Sequence, residues 1–85
     1  MLKNQELQAK ITQIIAEQLN LKENEVLNEH SFEKLGADII DHIEILMRTE
    51  EVFNVEISDE EADSISCVND LLICVDNLVS KQNQI

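Results

Sequence analysis

With no proline and one glycine among 85 residues, the chain lacks the turn residues that a β-sandwich or barrel needs every few positions. Its aliphatic residues recur at helical spacing instead. Leu7, Ile11, Ile14, Ile15 and Leu19 fall on one face, with Lys, Gln and Glu opposite, which predicts a first helix over residues 3–19. Residues 20–37 carry Leu21, Val26, Leu27, Phe32 and Leu35 without sustained periodicity and end next to the sole glycine, Gly36. They read as a long ordered loop pinned by Phe32 and Leu35, and a loop of that length points to function or to a distinctive fold. Asp38 follows as an N-cap whose carboxylate can take a free backbone N–H and meet the helix dipole favourably. The second helix is expected to run to about Phe53, burying Ile40, Ile43, Leu46 and Met47 and turning Asp41, Glu44, Arg48 and Glu51 outward. Ser58 and Glu61 have the spacing of a capping box, so a short third helix is expected over 59–65. A last stripe, Val68, Leu71, Leu72, Val75 and Val79, follows a Ser66 cap and leaves a polar tail at 80–85. The pattern is that of an all-α, small four-helix bundle: one domain over 1–85 with an ordered core at about 4–79.

Composition bounds what such a bundle can do. The chain is 44% hydrophobic with Phe32 and Phe53 its only aromatics, enough for one modest, deformable aliphatic core. Formal charge is -12, and residues 38–63 hold ten acids against Arg48 alone, three quarters of the net charge. Phosphate backbones and anionic lipid surfaces should repel such a chain, so no nucleic-acid partner and no membrane insertion are expected. The N-terminus lacks the apolar run of a signal peptide, and no stretch reaches the roughly 20 apolar residues of a membrane span; a cytoplasmic monomer is the expectation. Cys67 and Cys74 would stand about 10.5 Å apart along one helix, beyond disulfide reach, and read as reduced packing residues. His30 and His42 read as separate surface histidines. The acidic run at 59–63 lacks the glycine and alternate ligands of a calcium loop. No metal site, no catalytic residue and no enzymatic activity are expected.

The segment Leu35-Gly36-Ala37-Asp38-Ile39-Ile40-Asp41-His42-Ile43-Glu44, followed by Glu50-Glu51-Val52-Phe53 and Ile57-Ser58-Asp59-Glu60-Glu61-Ala62, resembles an acyl carrier protein, and the resemblance runs from about Gln5 through Leu78. It implies a bundle of the acyl carrier protein type, a recognition role for helix two, and a core that shelters a growing acyl chain. It further implies that Asp38, Asp41, Glu44, Glu50, Glu51 and Glu56 meet basic surfaces on acyl-carrier-dependent enzymes of fatty-acid or related lipid metabolism.

The family's cofactor is 4'-phosphopantetheine, attached to the serine of an Asp-Ser-Leu triplet at the start of helix two. Here the triplet reads Asp38-Ile39-Ile40. Isoleucine has no hydroxyl, so no cofactor is expected on this chain. Ile39 is compatible with a natural paralogue that lost its arm, with a substitution made to give an unmodifiable form, or with a lineage difference serving a new role. Further departures are a loop one residue short before Leu35, Arg48 within the acidic face, and Thr49 and Val52 at places usually apolar and acidic. The expected function is that of an unmodified, non-acyl-carrying docking module, the alternative being a structural or regulatory helical adaptor in a protein complex.

Overall fold

The computed structural model describes residues 4–82. Four helices, α1 (Asn4–Leu19), α2 (Ile39–Phe53), α3 (Asp59–Ser64) and α4 (Val68–Gln82), follow in order, with one 3-10 turn at Glu23–Glu25 in the first loop. There is no strand among the described residues. Lys3, expected to open the first helix, lies outside them.

The α1 stripe is buried as its spacing requires: Leu7, Ile11, Ile14 and Ile15, joined by Ala16, with Leu19 packed at the margin. Against it lie Ile45, Leu46 and Phe53 of α2 and Val68, Leu71 and Val75 of α4. Asparagines close the first two helices, Asn20 at φ 57° and Asn54 at φ 54°. Their short polar side chain makes the left-handed region less costly than it is for most residues.

The setting of α2 about its axis differs from the sequence expectation. Ile45, Leu46, Thr49 and Phe53 face the core, whereas Ile40, Ile43 and Met47 are 65%, 51% and 55% exposed. Two apolar stripes compete on this helix, and only one can face α1. The stripe that wins ends in Phe53, the bulkier anchor, and accepts Thr49 at full burial because its hydroxyl donates to the Ile45 carbonyl at 2.7 Å. That bond within the helix satisfies the hydroxyl without a tertiary partner.

The long loop is fastened at its middle to the α3–α4 junction. Phe32 N–H donates to the Ser66 carbonyl (3.0 Å), Val68 N–H to that of His30 (3.0 Å) and Asn69 N–H to that of Asn28 (2.9 Å). Phe32 and Val26 are buried, and Leu35 packs against the core. Gly36 turns the chain toward α2 at φ +89°, with open space where a Cβ would stand. The glycine is therefore required by backbone conformation and not by crowding.

Ser58 and Glu61 form the capping box that starts α3. At α4 the expected Ser66 cap is replaced by Asp70. Its carboxylate accepts from Ser66 N–H (3.1 Å), the Ser66 hydroxyl (3.1 Å) and Cys67 N–H (3.3 Å). The Ser66 N–H bond, ahead of the smaller contributions of Cys67 and the Ser66 hydroxyl, holds the Asp70 pKa below the usual aspartate value. Replacing Asp70 by alanine should cost about 1 kcal/mol at neutral pH and lower the melting temperature by roughly 4–8 °C in a domain this small. Because the folded pKa is depressed, this contribution is complete above the ordinary value of about 4 and is lost as pH falls through the depressed one. Thermal melts of wild type and Asp70→Ala should thus differ fully at neutral pH and converge in strong acid. A gap independent of pH would rule out the carboxylate as its source. Helix α4 also runs past residue 79, where a polar tail was expected: Ser80, Lys81 and Gln82 are helical, and the Gln82 amide donates to the Asn54 carbonyl.

Candidate docking face of helix two

Helix α2 begins with a reciprocal cap. The Asp38 carboxylate accepts from Asp41 N–H at 2.8 Å, and the Asp41 carboxylate accepts from Asp38 N–H at 3.3 Å. At 3.6 residues per turn, the positions beyond the cap divide among three faces. One faces the core. The second carries Ile39, Ile40, Ile43 and Met47, all more than half exposed. The third, alongside it, carries Asp41, Glu44, Arg48 and Glu51.

Helix α1 organises this third face. The Gln18 side-chain N–H2 donates to both Asp41 (3.2 Å) and Glu44 (2.7 Å). The Gln18 carbonyl accepts from Arg48 at 3.5 Å, and Arg48 forms an ion pair with Glu17 at 2.9 Å. Of the six acids expected to meet partners, Asp38, Glu44, Glu51 and Glu56 are exposed, while Asp41 and Glu50 are half-buried. Glu50 points away from the other helix acids and accepts from Ile57 N–H at 2.9 Å, bracing the α2–α3 connection. Glu56 lies beyond the helix. The structure thus gathers Asp38, Asp41, Glu44 and Glu51 along one side of α2 and sets Glu50 and Glu56 apart.

Residue 39 stands at the first position of α2 with its side chain 80% exposed. A hydrocarbon side chain offers no oxygen for a phosphodiester, so the residues here do not fit the arm that the triplet position implies. Beneath it opens a cleft of about 490 Å³, lined by Phe32, Ala37, Ile39, His42 and Ile65 among others. His42 is not the surface histidine that its sequence setting suggests. Its ring lies 5.1 Å from that of Phe32, and its Nε2 is buried without a partner. His30 closes a turn, its Nδ1 accepting from Leu27 N–H at 3.2 Å.

Elsewhere, Cys74 lies against Glu61 (3.7 Å), and burial, reinforced by that carboxylate, pushes its thiol pKa up. Hydrogen bonds from the Ser58 backbone and hydroxyl hold the Glu61 pKa down. A thiol made less acidic suits the packing role inferred for Cys74 and opposes reactivity. Among the described residues, no three His, Cys, Asp or Glu side chains gather as a metal site, and no helix is long and apolar enough to cross a membrane.

Sequence reasoning missed the exposed apolar stripe and the contribution of Glu17 and Gln18. The stripe is legible in the sequence, but its apolar spacing alone reads as interior. The α1 contacts link residues 23 to 31 positions apart, and nothing local in the sequence marks them.

The fold is a small helical bundle whose second helix starts at a capped Asp-x-x-Asp turn, and comparison with known proteins places it among carrier domains. The phosphopantetheine attachment site family matches residues 9–75, and the chain belongs to this family of carriers, which are not catalysts. Among solved structures it is similar to the acyl carrier protein of Thermotoga maritima, at 32% identity, TM-score 0.82 and 94% coverage of each chain.

Proposed function

We propose that this chain is a docking module of fatty-acid or related acyl-chain biosynthesis that meets acyl-carrier-dependent enzymes through α2 without bearing the arm. The reading is supported chiefly by one conjunction: an exposed apolar stripe beside an acidic one on α2, next to an attachment position occupied by Ile39. A complementary partner offers apolar side chains flanked by Lys or Arg. Apolar contact excludes water at the centre of such an interface, and the charges steer approach and fix orientation. The module is read as a cytoplasmic monomer.

The test uses a phosphopantetheinyl transferase with coenzyme A. The wild-type chain should show no mass gain when weighed intact, yet should inhibit loading of a competent carrier protein by occupying the transferase. Neutralising Asp41 and Glu44 together should weaken that inhibition by an order of magnitude or more if their interfacial charge pairs contribute about 1.5 kcal/mol or more. Addition of one arm to wild type would overturn the unmodified half of the reading. Absence of inhibition would overturn the docking half and favour an adaptor role outside acyl metabolism.

A further inference from the structure

The docking face of α2 is not uniformly acidic, and its one cation is held in an unexpected way. Arg48 lies on the same side of the helix as Glu44, one turn before it, and Glu51, nearly one turn after it, spacings at which ion pairs form along a helix. Its ion pair among the described residues is instead with Glu17 of α1, reinforced by the Gln18 carbonyl. Glu44 receives its hydrogen bond from the neutral Gln18 amide and so keeps its full charge. Gln18 holds Asp41 and Glu44 on a single N–H2 group and Arg48 on its carbonyl, which restrains three side chains that would otherwise lose rotamer freedom on binding. Arg48 remains 41% exposed and Glu17 53%, so both charges are open to a partner.

Resting on the docking role above, we propose that Arg48 determines which partners this face accepts. The surface that fits places basic groups against Asp41, Glu44 and Glu51 and a carboxylate against Arg48. A wholly basic surface meets like charge there and is disfavoured. Glu17 moderates that repulsion by partly neutralising the guanidinium, and Gln18 acts as a positioning residue.

Two substitutions separate this from a purely structural bridge between α1 and α2. If the Glu17–Arg48 pair only held the helices together, Glu17→Gln and Arg48→Ala would shift docking in the same direction. If the charge of Arg48 governs selection, they shift it in opposite directions. With a transferase chosen for a wholly basic docking face, inhibition of carrier loading should tighten about two- to fivefold in Arg48→Ala, the range of a partly exposed charge contact. It should weaken in Glu17→Gln, which leaves the guanidinium unneutralised, and both differences should shrink at high salt. Shifts of the same sign, or no shift while neutralising Asp41 and Glu44 still weakens inhibition, would overturn the role of Arg48 and leave the docking role standing. Loss of any response to the Asp41 and Glu44 changes would instead overturn the docking role itself.

Discussion

Ile39→Ser should turn this chain into a substrate that gains one phosphopantetheine arm from coenzyme A and a phosphopantetheinyl transferase, while wild type gains none. The expectation follows from how little else at this position changes. Residue 39 is the first residue of α2, its side chain is 80% exposed, and the flanking Asp38–Asp41 cap is made by its neighbours. Serine there removes an exposed hydrocarbon without opening a cavity, so stability should stay within about 0.5 kcal/mol of wild type. The acids offered to the transferase are unchanged. Intact mass before and after incubation reads the result, with a competent carrier as positive control. A variant that folds normally yet stays unmodified would show that restoring the hydroxyl is insufficient and that the face around Asp38 does not dock as proposed.

Ile45→Ala should be severely destabilising, and Ile43→Ala should not. Ile45 is fully buried between α2 and α1, whereas Ile43 is 51% exposed. Truncating a buried isoleucine costs about 2–5 kcal/mol through lost burial and the cavity left behind. A chain of this length has about 4–13 kcal/mol of total stability, and self-repulsion from a net charge of -12 places it toward the lower end. Ile45→Ala should therefore lose much of its stability, whereas Ile43→Ala should stay within about 0.5 kcal/mol of wild type, helped by alanine's better helix propensity. Urea titrations followed by circular dichroism measure both. Equal losses, or a larger loss in Ile43→Ala, would mean that the face of α2 carrying Ile43 packs on the core.

That pair of variants also marks where the sequence stopped being legible. The stripe of α1, the caps at Asp38 and Ser58 and the four-helix order follow from local rules of periodicity and capping, the pinning role of Phe32 follows from a large apolar residue set in an aperiodic loop, and all appear in the structure. The rotation of α2 does not, because its sequence carries an apolar stripe on two faces and the polar name of Thr49 disguises the one that is buried. The α4 cap differs from expectation for a related reason: serine ranks high as an N-cap, yet Cys67 stands just before the helix and the carboxylate comes from Asp70, further into it. At the candidate site, the acids of α2 could be read from charge clustering and family resemblance. Their division could not. Whether an acid is exposed, like Glu51, or engaged, like Glu50 on Ile57 N–H, depends on which part of the chain passes beside it. The packing of the half-buried His42 against Phe32 depends in the same way on where the loop is fastened.

That fastening has a consequence for transmission between distant parts of the chain. The loop bonds to the first turn of α4 through Asn28 and His30 and to the Ser66 carbonyl just ahead of it through Phe32, and the same loop delivers Gly36, Ala37 and Asp38 to the start of α2. The start of α4 and the residue pair ahead of it therefore serve as an abutment for the N-terminal end of α2. A substitution that moved Ser66 or Val68 would pull on these bonds and so on the loop that leads to Asp38 and Ile39. The aim of the first turn of α2 is thus tied to residues some thirty positions further along the chain.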